Sequence, residues 1–118
     1  METRLTNDGA HLLHVLYQSY ASKRKSGKTK REANYFSNSH YIHEYLLPDW
    51  HFEDVDDTCR ELSRANLIRV LWADNIANDI RLTDEAISIM ENIVFDTLKD
   101  TSSIISAIIS AVGSFFCK

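Results

Sequence analysis

Residues 55–91 read VDDTCRELSRANLIRVLWADNIANDIRLTDEAISIME, and two changes of period within them decide the fold. Val55, Cys59, Leu62 and Ala65 fall on one stripe at helical spacing. A helix from about Phe52 should therefore end near Asn66, a residue type that readily takes the left-handed conformation past a helix end. Arg69-Val70-Leu71-Trp72 then reads as a strand, residues 73–78 as a polar turn around Asp74-Asn75, and Asp79-Ile80-Arg81-Leu82 as the returning strand. Thr83 stands where it can cap a further helix, with Asp84 and Glu85 in the first turn where the helix dipole favours negative charge.

Working outward towards the N-terminus, Leu12, Leu13, Leu16, Tyr17 and Tyr20 recur at helical spacing. They predict a first helix capped by Asn7 or Asp8 and ending near Ser26, before Gly27. Residues 23–31, KRKSGKTKR, carry six positive charges and nothing apolar. Asn34-Tyr35-Phe36 is too short to assign. Ser37, Asn38 and Ser39 are cap candidates for a short second helix over residues 40–47, which Pro48 ends. Towards the C-terminus, Ile87, Met90, Ile93, Val94 and Leu98 predict a helix that runs on to near Phe116. From 101 to 117 no charge occurs, and Ile104, Ile105, Ile108, Ile109, Val112, Phe115 and Phe116 share one face, opposite a run of serines.

The expected fold class is mainly α with a small β-hairpin, followed by a long apolar C-terminal helix. Residues 1–92 form the domain and residues 93–118 the C-terminal helix. Its core is expected from Leu12, Leu16, Tyr20, Leu46, Val55, Cys59, Leu62, Leu67, Leu71, Ile80, Leu82 and Ile87.

A chain of 118 residues has room for one domain and an extra helix, not for a multidomain enzyme. Its 44% hydrophobic and 25% charged residues exclude a wholly disordered or collagen-like chain. A net charge of -4 argues against a wholesale polyanion binder and leaves room for a local basic patch. Two cysteines, Cys59 and Cys117, make no disulfide framework, so a reducing compartment is expected. Residues 1–13 show neither a basic start nor an apolar run, so no leader is expected.

Helix, short helix, helix, hairpin, helix is the order of a winged helix-turn-helix domain. VDDTCRELSRANLI, residues 55–68, resembles the recognition-helix segment of MarR- and PadR-like winged-helix proteins. IRLTDEAISIME, residues 80–91, resembles their second wing strand running into the next helix. The likeness covers roughly residues 8–92, and the chain is similar to small winged-helix proteins of unknown function from Gram-positive bacteria and their phages. It implies a DNA-binding transcription regulator. The third helix departs from that pattern: Glu53, Asp54, Asp56, Asp57 and Glu61 stand against only Arg60 and Arg64. Acidic groups near phosphate replace attraction by repulsion, so the usual docking of this helix in a major groove should be weak.

The nucleic-acid contacts expected are therefore Arg24, Lys25, Lys28, Lys30 and Arg31 in the basic loop and Arg69 on the hairpin, with Arg60 and Arg64 at the groove edge. The histidine pairs His11 with His14 and His40 with His43, near Glu44 and His51, lack a zinc-type quartet, and no metal or other cofactor is expected. Cys59 lies on the apolar stripe among acidic neighbours and reads as a core residue rather than a nucleophile. No glycine-rich phosphate loop or nucleophile elbow occurs, and no enzyme is expected. The tail is expected to bury Ile104, Ile105, Ile108, Ile109, Val112 and Phe116 against another copy, making a homo-oligomer; membrane contact and packing on the chain's own domain are the alternatives. The leading functional reading is a non-enzymatic winged-helix regulator. Its rival is a small interaction or membrane-acting effector whose acidic third helix binds a protein. A cytoplasmic location is expected, with membrane association through the tail as the alternative.

Overall fold

The computed structural model describes residues 5–93 and 100–116. The helix α1 (Asn7–Lys25) is followed by a single turn α2 (Lys30–Ala33), then by α3 (Ser39–Tyr41), which continues into a π-helical turn over Ile42–Leu46. Next come α4 (Phe52–Arg64), the strands β1 (Ile68–Ala73) and β2 (Ile76–Leu82), α5 (Asp84–Glu91) and α6 (Thr101–Phe116). The described residues are thus mainly helical, with one antiparallel hairpin.

Local chemistry fixes most boundaries. Both α1 and α4 end in the same way. Gly27, at φ 103°, donates to Arg24 O while Lys28 donates to Lys23 O. Asn66, at φ 59°, donates to Ser63 O while Leu67 donates to Leu62 O. In each, the left-handed residue lets the two amides turn back onto carbonyls that the helix would otherwise leave open. The hairpin turns on Asp74 and Asn75 alone, both with positive φ, so the strands reach closer to the tip than expected. The pairing slips between Arg69 and Leu71, and on β2 Asp79 takes φ 50°, so the extra residue lies on β2. The cap of α1 is Thr6 rather than Asn7 or Asp8.

The tail departs from expectation. No single long apolar helix follows the hairpin: α5 ends at Glu91 with Asn92 as its cap, and α6 starts afresh at Thr101, where Asp100 Oδ1 accepts from Ser103 N at 2.7 Å. The expected positions Val94 and Leu98 lie outside the described residues. Among the described residues no helix is long and apolar enough to cross a membrane. Instead α6 lies against α1 and α5. Ile108 and Val112 are fully buried there by the chain itself; Ile104, Ile105 and Ile109 are half-buried, and the side chain of Phe116 is outside the described residues.

Of the expected core, Leu12, Leu16, Tyr20, Val55, Cys59, Leu62, Leu67, Ile80, Leu82 and Ile87 are buried. Leu46 is only half-buried, because the π-turn gives the inward position to Leu47. Leu71 is 59% exposed. Three apolar residues in a row leave the strand's facing open in sequence, and the structure turns Ile68, Val70 and Trp72 towards the body, with Arg69 and Leu71 outward.

Polar joints lock these pieces together. Asp56, a surface acid by its sequence context, is 7% exposed. Its Oδ1 accepts from Ser39 Oγ at 2.6 Å and from Ala77 N at 3.1 Å, and its Oδ2 meets Arg60 Nη2 at 3.2 Å. One carboxylate thus ties α4 to α3 and to the hairpin. Glu61, also expected on the surface, accepts from Thr6 N at 2.8 Å and Thr6 Oγ1 at 2.7 Å. Its carboxylate lies 2.8 Å from where a Cβ on Gly9 would stand, so a larger residue there would push the Glu61 head group aside. Thr83, buried, donates to Asn66 O at 2.9 Å and accepts from Ala86 N at 3.1 Å, joining the two ends of the hairpin as it caps α5.

Removing the Asp56 carboxylate leaves a buried hydroxyl and a buried amide without their acceptor and takes one of its two acceptors from the Arg60 guanidinium. Asp56→Ala should cost about 3–5 kcal/mol in denaturant unfolding, and Asp56→Asn, which keeps one acceptor, distinctly less. A second expectation concerns Cys59. Burial first, and then the Asp56 charge, push its thiol up to about 12 from 9.0. The folded chain therefore keeps a proton that the unfolded chain releases above about pH 9, so stability is intact below that pH and falls as pH rises towards 12. Unfolding measured against pH should show this alkaline loss in the native chain and a flatter limb in Cys59→Ala.

Candidate nucleic-acid interface

Arg69 and Arg81 are direct partners across the hairpin, so both guanidinium groups leave the same face of the sheet. Like charges so placed repel. Arg81 turns away, donating to Asn34 O at 3.2 Å and Arg31 O at 3.4 Å and stacking its guanidinium 4.9 Å from the centre of the Tyr35 ring. It thereby caps the last carbonyls of α2, a turn too short to hold itself. Thr29 starts that turn with a reciprocal cap: its hydroxyl accepts from Glu32 N while Glu32 Oε1 accepts from Thr29 N. These bonds to Thr29 hold the Glu32 carboxyl below its usual range.

Residues 34–37 complete the frame. Phe36 N donates to Ile80 O and Ile80 N to Ser37 O, each at 3.0 Å, which sets this segment along the free edge of β2. One step on, the Asn34 side chain replaces a backbone unit: its Oδ1 accepts from Leu82 N at 2.8 Å and its Nδ2 donates to Leu82 O at 2.9 Å. The outcome is an open cleft lined by Lys30, Arg31, Asn34 and Arg81. Lys30 reaches Asp84 Oδ1 at 3.2 Å in an exposed pair, which contributes little against solvent. The Arg31 side chain is exposed and has no partner among the described residues.

The sequence-expected contacts divide into three groups. Lys30 and Arg31 line the cleft with Arg81, and Arg69 stands opposite Arg81 in the hairpin. Arg24, Lys25 and Lys28 lie around the loop before α2, exposed, with Arg24 Nη1 donating to Lys28 O at 3.3 Å. Lys23 folds inward, donating to Tyr35 O at 3.3 Å with its ammonium 5.0 Å from the Phe36 ring centre. Burial, and then the Lys28 charge, hold its ammonium below the usual lysine range. Arg60 is committed elsewhere, between Asp56, Asn75 O at 3.0 Å and the face of Trp72 at 4.4 Å. Arg64 is exposed at the end of α4. Sequence reasoning misses Arg81, Asn34 and Tyr35. Arg81 alternates with the apolar Ile80 and Leu82, a signal that places it on the outer face of the strand.

The surface of α4 is less acidic than its sequence, since Asp56 and Glu61 are occupied, yet Glu53, Asp54 and Asp57 remain exposed. The histidines meet aromatic rings: His11 stands edge-on to Trp50 at 5.6 Å, and His40 stacks on Phe52 at 4.3 Å with His43 edge-on at 6.1 Å. Burial, then the charge of His11, lowers the pKa of His14. Among the described residues no group of three His, Cys, Asp or Glu is placed to hold a metal ion.

Comparison with family models, with curated proteins and with solved structures returns no match.

Arg81→Ala should lower stability by about 1.5–3 kcal/mol, the range for hydrogen bonds to a charged group. Arg81→Lys should restore little of it, since one ammonium cannot span two carbonyls and a ring face. Amide exchange at residues 31–36 is the measurement, and unchanged protection in both variants would remove the structural role.

Proposed function

We propose that this chain is a non-enzymatic winged-helix regulator that meets the phosphate backbone of nucleic acid with the cationic end built by α2 and the outer face of the hairpin. The observation that carries the reading is the cleft that brings Lys30 and Arg31 to Arg81 from segments distant in sequence, with Arg69 paired to Arg81 across the hairpin. The exposed Lys25 and Lys28 extend the same charge along the preceding loop. The order of elements and the short segment 34–37 on the edge of β2 favour the winged-helix reading. Insertion of α4 into a groove is disfavoured by Glu53, Asp54 and Asp57, so contact is with backbone rather than base edges, weak in sequence preference and steep in salt. A second reading, a module that docks a cationic protein on α4, is favoured by the same three exposed carboxylates.

Titration of a generic DNA duplex at several salt concentrations tests the first reading. Lys28→Ala, Lys30→Ala and Arg31→Ala together should flatten the plot of log affinity against log salt by about one unit for each phosphate no longer neutralised. Glu53→Gln, Asp54→Asn and Asp57→Asn together should strengthen binding. No binding at low salt, or a slope indifferent to the basic triple, would exclude this surface.

A further inference from the structure

Ile108 and Val112 of α6 are buried by the chain itself, and on the hairpin two large apolar side chains stay in the open, Leu71 at 59% and Trp72 at 40% exposure. In β1 residues 71–73 are all exposed: Arg60 lies over the Trp72 ring on the inner side, and Leu71 stands on the open outer face. β2 is flanked on one side by β1 and on the other by residues 34–37; β1 is paired only with β2, and its outer edge has no hydrogen-bond partner among the described residues. The bulge that could blunt an edge lies on β2, and β1 pairs without interruption from Leu71 to Ala73. No lysine or proline guards it.

We infer that β1 pairs antiparallel, edge to edge, with β1 of a second copy of this chain. The charges of the edge select that occupant. It carries one cation, Arg69, at its start and one anion, Asp74, just past its end. A strand of uniform charge meets a like charge at one end whichever way it runs, whereas an antiparallel copy meets the opposite charge at both. Pairing about Leu71 places Leu71 against Leu71 of the second copy and sets Arg69 opposite its Ala73, one residue from its Asp74. Val70 of each copy then faces Trp72 of the other. The strand ladder supplies the free amides and carbonyls with partners, and the two leucines cover each other. A small paired surface of this kind gives a reversible association rather than an obligate dimer.

The test is light scattering of the full chain from about 10 µM to about 1 mM, the range where small interfaces act. Mass should climb towards that of a dimer, and amides of residues 70 and 72 should gain at least tenfold protection from exchange at the high end. Leu71→Glu and Leu71→Lys should each remain monomeric with unchanged thermal midpoints, and their equimolar mixture should dimerise again, because the two substituted side chains face one another. A native chain that stays monomeric throughout overturns the pairing. So does a Leu71→Glu chain that dimerises as the native one does, which moves the interface to another surface such as the rim of α6, or a mixture that fails to recover. If either variant does not fold, concentration-dependent exchange at residues 70 and 72 of the native chain decides alone. None of these outcomes depends on whether nucleic acid binds.

Discussion

The carboxylate of Asp56 is the joint on which the arrangement of the other elements depends. It is a charged group in a nearly dry position, a placement that costs free energy unless every oxygen is answered. Here both are: a hydroxyl from α3, a backbone amide from β2 and the guanidinium one turn along the same helix. Apolar contacts hold these elements close, but they are non-directional and leave the hairpin free to choose its angle. The bond from Ala77 N to this carboxylate removes that freedom. Arg60 extends the joint, since its other contacts are the turn carbonyl of Asn75 and the Trp72 ring, so the tip of the hairpin is oriented by the helix that carries Asp56.

The same design recurs around α4. Past its C-terminal end stands Asn66, whose carbonyl receives Thr83, and its Glu61 caps and crowds the start of α1. A helix whose sequence looks like a solvated acidic rod thus behaves as a central strut. Two of its five acids connect neighbouring segments, and the remaining three, Glu53, Asp54 and Asp57, give its surface a charge that separates it from the cationic end of the molecule.

How far the sequence can be read follows from the range of each interaction. The helix end at Asn66, the cap at Thr83 and the Asp74-Asn75 turn are legible because the bonds that make them close within a few residues, where spacing alone fixes the partner. Asp56, Glu61, Asn34 and Arg81 are not, since their partners on other segments lie 17 to 55 residues away and nothing in composition separates a bonded carboxylate from a solvated one. Leu71 fails for another reason. Alternation cannot orient a strand whose apolar residues run consecutively. The tail fails because apolar periodicity passes through a boundary that Asn92 and Asp100 mark with their own side chains. Of the candidate site, the charges are visible and their assembly is not: Lys30 and Arg31 look like part of a loop, while the arginine that organises them sits 50 residues on, in the returning strand.

The opposition of Arg69 and Arg81 across the hairpin makes the sheet an electrostatic capacitor. Two like charges share one face, and although Arg81 leans towards α2, a residual repulsion of about 0.2–1 kcal/mol is stored in the register itself. Whatever neutralises that face releases the stored energy, so an anion bound there and a well-formed hairpin reinforce each other reciprocally. Dissolved salt screens the repulsion and firms the hairpin, whereas it would weaken the contact with a polyanion proposed for the same face. On that proposal, ionic strength moves two properties of one surface in opposite directions.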